Sequence, residues 1–236
     1  MSETDLDNTL NKALKKYEET TTLRAAVQLI PYVGGPLDTL LAAKIHQERI
    51  LDFLEDLNQR LKRVELEKRI EPDEEFYDFM LSIFEGAQRT RSNEKRGQFA
   101  EIVKNKILDN GDWEEAETAT RLLNQLDDIH IKILITAFNA PKCDEPFEDL
   151  RVISIEDDIL ESDSFYENSG PVQPLYLPEL FSDQSIYTIR MVCSELVSRG
   201  LLHDEGIGRI NMGAMEFFVA TDLANWFLEW IQEENT

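Results

Sequence analysis

Histidines and neighbouring carboxylates are the side chains of this sequence that could perform acid-base or metal chemistry. His46, His130 and His203 occur singly, and His130 closes the stretch Asp-Asp-Ile-His at positions 127–130. A helix cap followed by a surface histidine accounts for that stretch. The pair Asp157-Asp158 falls in an acidic segment, where carboxylates without supporting donors are usually solvated. Neither feature predicts a catalytic or metal site.

Motifs that mark enzymes or metal centres are missing from the sequence. It has no Walker loop, no G-x-S-x-G, no H-E-x-x-H and no dinucleotide-binding fingerprint. Cys143 and Cys193 lie fifty residues apart without a nearby Cys or His cluster, which predicts reduced thiols rather than a disulfide framework or a zinc site. We therefore predict a protein that is not an enzyme and has no cofactor.

The charge of the chain disfavours nucleic acid as a partner. The 236 residues have a formal charge of −23, with 18 basic and 27 acidic residues at positions 1–128 and 6 and 20 at positions 129–236. Such a field repels phosphate backbones and anionic lipid headgroups. The N-terminus, MSETDLDNTL, lacks a basic and then apolar signal sequence. We expect a cytoplasmic protein of a bacterium or archaeon.

One local exception to the acidic charge lies at residues 89–106, where six basic residues meet two acidic ones and leave a charge of +4. This basic segment could bind an anionic ligand, nucleic acid or lipid headgroups. The favoured alternative is that it pairs with acidic groups of the chain itself or of a second subunit. The anion-binding candidates are Arg89, Arg91, Lys95, Arg96, Lys104 and Lys106.

A heptad pattern marks the helix predicted over residues 37–70. Apolar positions there recur at alternating steps of three and four, as in a coiled coil. Leu51 and Phe53 widen the stripe, which favours an intramolecular bundle or long helical hairpin over self-association. The pattern, here called the heptad seam, comprises Leu40, Ala43, Gln47, Ile50, Leu54, Leu57, Leu61 and Val64, and its interface candidates are Ile50, Leu54, Leu57, Leu61 and Val64.

The apolar segment 29–41, LIPYVGGPLDTLL, precedes that helix. Thirteen uncharged residues lie between Arg24 and Asp38, which is too short for a transmembrane helix of roughly twenty residues. A buried corner between helices is the favoured interpretation, with Pro31, Gly34, Gly35 and Pro36 as hinge candidates. The alternative is a peripheral, membrane-disrupting insertion of residues 25–43 after a trigger.

Further helices are predicted by their caps and apolar spacing. Proline and acidic residues at 71–73 begin one, Ser92 or Asn93 caps the next, and Asp112 caps a third. Together with the heptad helix they predict an N-terminal helical bundle over residues 1–126. An apolar helix at 129–138 then opens a second domain, 127–236, which contains an irregular, proline-rich and acidic insertion at 141–182 with one short strand at 151–155.

The order of elements at 126–231 resembles a winged-helix domain: a capped helix ending in SRGLL, a β-hairpin, and a Thr-led helix, DLANWFLEWI. The resemblance implies that the helix at 184–199 would enter a DNA groove and that the hairpin would touch phosphates. This helix offers Arg190 and Arg199, whereas the hairpin carries Asp204 and Glu205. We therefore expect a protein-binding module, with a DNA-binding regulator as the alternative.

The whole layout, including EKRGQFAEIVKNKIL and LLNQLDDIHIKIL, is similar to bacterial proteins of the abortive-infection alpha type. That similarity implies a component of an antiviral defence system and transfers no catalytic residue. Trp226 and Trp230 share one face of the last helix and are further candidates for a partner or oligomer interface. The overall prediction is a mainly α protein, a helical bundle followed by an acidic winged-helix-like α+β domain, that binds a protein partner or forms a homo-oligomer.

Overall fold

The computed structural model describes residues 47–61, 74–109, 112–156, 172–209 and 212–233. These residues form a mainly helical structure with a small mixed β-sheet near the C-terminal end. No helix in this part of the chain is both long enough and apolar enough to cross a membrane. The chain divides into two compact units, one comprising Met1–Gln125 with Trp230–Thr236 and the other Leu126–Glu229.

Unit 1 contains four described helices, and two of them begin at the predicted caps Ser92 and Asp112. The backbone N–H of Lys95 donates to Ser92 Oγ at 3.2 Å, and that of Glu114 donates to Asp112 Oδ1 at 3.3 Å. Both side chains satisfy first-turn donors that have no partner within the helix. The helices are α1 (Gln47–Leu61), α2 (Glu74–Arg89), α3 (Asn93–Asp109) and α4 (Trp113–Gln125).

The core of unit 1 forms where α1 and α2 pack on α3 and where α4 packs on α2 and α3. Phe53 of α1 meets Phe84 of α2 edge to face, with ring centroids 5.6 Å apart, the geometry that the aromatic quadrupole favours. Gly86 permits close approach of α2 and α3, because a Cβ at this position would lie 2.5 Å from the Phe99 ring. The described part of the heptad seam thus belongs to an intramolecular core.

Unit 2 alternates helices with short strands. The apolar run at 129–138 is helical as predicted, and the strand expected at 151–155 is present. A two-residue strand and a one-turn helix in the proline-rich segment were not predicted, because elements this short show no periodicity. The elements are α5 (Asp128–Asn139), β1 (Val152–Ser154), β2 (Leu175–Tyr176), α6 (Leu177–Leu180), α7 (Ile186–Ser198), β3 (Leu202–Asp204), β4 (Phe217–Ala220) and α8 (Asp222–Ile231).

The four strands form one sheet in the order β2-β1-β4-β3. β3 and β4 are the antiparallel hairpin expected from the sequence, with Leu202 opposite Ala220. β1 lies antiparallel to β4 on its other side, and β2 adds a parallel edge. Helix α5 packs on β1 and β4, and α7 packs on α5 and β3. The sheet and α5 therefore support α7.

Candidate protein-interaction surface

Helix α7 has well-defined ends. At its start the Thr188 N–H donates to Ser185 Oγ at 3.1 Å, which makes Ser185 the N-cap residue. At its end Gly200 takes a φ of +73°, a left-handed angle that glycine adopts without steric cost. The Gly200 carbonyl accepts a hydrogen bond from Thr221 Oγ1 at 2.7 Å. Because Thr221 precedes α8, this bond links the end of α7 to the start of α8.

The inner face of α7 holds the helix against the rest of unit 2. Ile189, Val192, Cys193 and Leu196 are all buried. Four such side chains supply an apolar contact of several kcal/mol, at about 1.5–3 kcal/mol per fully buried aliphatic side chain. Their spacing of three, one and three residues places them on one side of the helix. The orientation of α7 therefore follows from its apolar periodicity.

A hydrogen bond between α5 and α7 supports the same orientation. His130 Nδ1 accepts the backbone N–H of Asp127 at 3.2 Å, so the ring proton resides on Nε2. Nε2 lies 2.9 Å from Glu195 Oε2 and donates to it. The prediction of a helix cap at Asp127 is confirmed, but the expectation of a surface histidine is wrong, because His130 is buried. Its ring is buried because both nitrogens have partners within unit 2.

The outer face of α7 carries large side chains that lack cover. Tyr187 is 79% exposed and Met191, one helical turn later, is 55% exposed, so the two lie side by side. Ile186 on α7 and Leu180 on the adjoining helix α6 are also exposed, Leu180 by 53%. We call Leu180, Ile186, Tyr187 and Met191 the α7 patch. Tyr187 and Met191, which are neighbours on the helix surface, form an exposed apolar pair of the kind that marks contact sites more often than isolated side chains do.

The charges around the α7 patch are acidic. Glu179 and Asp183 are exposed beside Leu180 and before α7, and no Lys or Arg occurs between Arg151 and Arg190. Arg190, which precedes Met191 in the chain, forms an ion pair of 3.2 Å with Glu156. The described charged residues beside the patch therefore carry net negative charge.

The loop between β3 and β4 is held together by its own acidic side chains. Asp204 is buried and accepts the backbone N–H groups of Gly206 at 2.9 Å and Met215 at 2.7 Å. Arg209 donates to Glu205 at 2.9 Å and to the Pro146 carbonyl at 2.7 Å. The Asp204 carboxylate therefore points into the loop. Arg209 is likewise engaged within unit 2.

The basic segment of unit 1 is divided between internal and exposed side chains. Arg96 is buried and lies 3.1 Å from Asp52, and Lys104 lies 2.5 Å from Glu101. The Lys106 ammonium sits 3.9 Å from the centre of the Trp113 ring, a cation–π contact. Lys95 is also buried, whereas Arg89 and Arg91 are exposed. The six candidates therefore do not form one continuous exposed cationic surface, and anion binding stays a prediction.

The interface candidates of the heptad seam are largely occupied by the chain itself. Ile50, Leu54 and Leu57 are buried within a single copy of the chain. An oligomer that used them would require the helices of unit 1 to separate. Of the tryptophan pair, Trp230 is buried and Trp226 is half-buried. The side chains of Leu61 and Val64 lie outside the described residues.

The two thiols are buried and protonated at neutral pH. Burial raises the pKa of the Cys193 thiol to about 12, because the thiolate would lose its hydration. Burial also raises the pKa of Cys143 from 9.0. Both cysteines are free, which agrees with the prediction of reduced thiols. Neither has the lowered pKa of a reactive cysteine.

Among the described residues, no group of three or more His, Cys, Asp or Glu could hold a metal ion.

The structure does not describe residues 25–43, which include the hinge candidates Pro31, Gly34, Gly35 and Pro36. The membrane-disrupting alternative thus stays a prediction without a structural test.

Comparison with protein-family models, with curated proteins and with solved structures found no match to this chain. The winged-helix and abortive-infection resemblances therefore stay predictions. The α7 patch itself was missed by the sequence reasoning, which examined the helix for apolar core positions and for cations. A signal was present, since Tyr187 and Met191 share one side of a helix whose core positions are Ile189, Val192, Cys193 and Leu196.

Proposed function

We propose that this chain is a non-enzymatic interaction protein in which unit 2 is a winged-helix-like module that binds another protein through the α7 patch. One observation supports the proposal above all. The helix face that would read bases in a DNA-binding winged helix carries exposed Tyr187 and Met191 in place of free cations. Its arginine, Arg190, is paired with Glu156. Tyrosine and methionine are enriched at the centres of protein–protein interfaces.

The topology of unit 2 supports the winged-helix part of the proposal. In chain order it contains a helix, two short strands, two helices and a hairpin, followed by a closing helix. The first strand pairs with the second strand of the hairpin, which gives the order β1-β4-β3 within the sheet. In a winged helix the helix before the hairpin is the one that contacts the target. Here that helix is α7.

Electrostatics favours a protein target over DNA. Residues 126–229 contain six Lys or Arg and twenty Asp or Glu, a formal charge of −14. A duplex binder must place several cations on phosphates to release counterions. Arg190 and Arg209 each form an ion pair within unit 2, so a phosphate contact by either arginine would compete with a carboxylate.

The proposal is tested by photo-crosslinking from the α7 patch. A photoreactive phenylalanine analogue replaces Tyr187 in the full chain in its host cells, and the control carries it at Leu223, an exposed apolar residue of α8. We expect a discrete protein adduct from position 187 and none from position 223. Equal labelling from both positions, or none from either, would contradict a binding role for the patch.

DNA binding is measured separately by fluorescence anisotropy with a mixed-sequence duplex at low and moderate salt. We expect no saturable binding of the wild-type chain. Binding that falls steeply with salt and is weakened by Arg190→Ala would assign unit 2 to DNA instead, because such a response reports phosphate contacts by cations.

A further inference from the structure

Resting on the proposed function, we infer that the partner of the α7 patch is a basic amphipathic helix of another protein. Its apolar side would cover Tyr187, Met191 and Leu180, and its Lys or Arg side chains would face Glu179 and Asp183. We infer that the partner is apolar on one side because these three side chains are each more than half exposed. Amphipathic helices bind such surfaces through apolar residues at helical spacing.

The positive charge of the partner follows from the charge of the surface it meets. Glu179 and Asp183 are exposed, and among the described residues Gln184 donates a hydrogen bond of 2.9 Å to Asp183. Of the described residues at 152–156 and 172–189, Glu156, Glu179 and Asp183 are acidic and none is Lys or Arg. Complementary potentials steer encounter and suppress wrong partners. Cationic side chains at the rim of the partner would meet these requirements.

The same charges argue against other occupants. A second copy of this chain would bring an equally acidic surface to the patch, and like charges at an interface cost several kcal/mol. An anionic lipid surface would be repelled by the charge of −14 between residues 126 and 229. A basic amphipathic helix would be stabilised both by the apolar contact and by attraction to the negative charge of unit 2.

The test uses the full chain and a synthetic peptide of about 18 residues, long enough to form a helix, with Leu at helical spacing and Lys elsewhere. A second peptide carries Glu in place of every Lys. Binding is measured by fluorescence anisotropy at two salt concentrations. We expect saturable binding of the Lys peptide, weakened by salt but still present at the higher concentration because part of the contact is apolar.

Two double variants distinguish binding at the α7 patch from attraction to the overall negative charge. Tyr187→Asp with Met191→Asp changes the patch, and Val172→Asp with Leu223→Asp adds the same charge at exposed apolar residues elsewhere in unit 2. We expect the patch variant to bind the Lys peptide at least about tenfold more weakly, despite its added negative charge, and the matched control to bind like wild type. Glu179→Gln with Asp183→Gln should weaken binding at low salt and have a smaller effect at high salt.

Equal binding by all variants would overturn the inference, since it would show attraction to overall charge alone. Preference for the Glu peptide, or no binding of the Lys peptide to wild type, would overturn it as well. The photo-crosslink from position 187 distinguishes this failure from failure of the proposed function. If the adduct forms while the Lys peptide fails to bind, the surface binds a partner of other chemistry; if both fail, the patch is not a binding surface.

Discussion

Neutralising one buried carboxylate in unit 1 should cost more stability than any surface substitution nearby. Glu101 is 1% exposed and accepts a hydrogen bond from Arg60 and another from Lys104, the latter at 2.5 Å. Glu101→Gln keeps the shape and removes the charge, so two charge-assisted bonds become weak or repulsive. Each such bond contributes about 1.5–3 kcal/mol.

The expected loss is less than the full sum of the two bonds. Arg60 and Lys104 are 21% and 19% exposed, so each cation regains part of its hydration in the variant. We expect the free energy of unfolding of unit 1 to fall by about 2–3 kcal/mol. For a chain of this size that lowers Tm by roughly 4–12 °C.

The assay is thermal and urea unfolding followed by helical circular dichroism and by tryptophan fluorescence, for Glu101→Gln and for a matched control, Glu117→Gln. Glu117 is exposed on α4 of the same unit, and its neutralisation should change stability by less than about 0.5 kcal/mol. If both variants melt within about 1 °C of each other, the reasoning about the buried ion pairs is wrong. Replacing Glu101, Arg60 and Lys104 together with apolar residues should restore much of the loss, because no buried charge is then left without a partner.

Two further predictions concern unit 2. Cys193 should resist alkylation in the folded chain and react only after unfolding. Because the pKa of its thiol is raised from 9.0 to about 12, the buried thiol contributes fully to stability below about pH 9, and this contribution is lost as the pH rises toward 12. Cys193→Ala should therefore show a smaller loss of Tm over that pH range than wild type. Unchanged labelling rates on unfolding would contradict this. His130→Phe should destabilise unit 2 by about 1–3 kcal/mol by leaving the Asp127 N–H without its acceptor, whereas Glu195→Gln, which still accepts from Nε2, should cost less. A urea midpoint of His130→Phe equal to that of wild type would show that the His130 hydrogen bonds contribute nothing.

The helices with clear caps and apolar spacing could be predicted from the sequence, and α3 shows where such prediction ends. Phe99, Ile102 and Val103 follow helical spacing and are buried. Arg96 and Glu101 are buried as well, on sides of the helix that a periodicity argument assigns to solvent. Burial of a charge depends on a partner brought from another helix, here Asp52 and Arg60 of α1. Such pairing is a tertiary property that no local pattern contains.

The α7 patch shows the complementary limit. An apolar residue such as Tyr187 or Met191 reads as core in a sequence, and only the direction of the helix reveals that it faces outward. That direction is set by the buried side of α7 and by the bond from His130 to Glu195.

Net charge alone does not separate a DNA reader from a protein-binding module, because an acidic protein can still present a local basic surface. The decisive point is what each cation near the α7 patch already contacts. Arg190 lies against Glu156, and Arg209 is held by Glu205 and the Pro146 carbonyl. To reach phosphate, either arginine would have to give up a partner inside unit 2. The formal charge of −14 on residues 126–229 would also repel the nucleic acid. Tyr187 and Met191 need no such rearrangement to contact a protein, so association through the apolar patch is the lower-cost use of this helix.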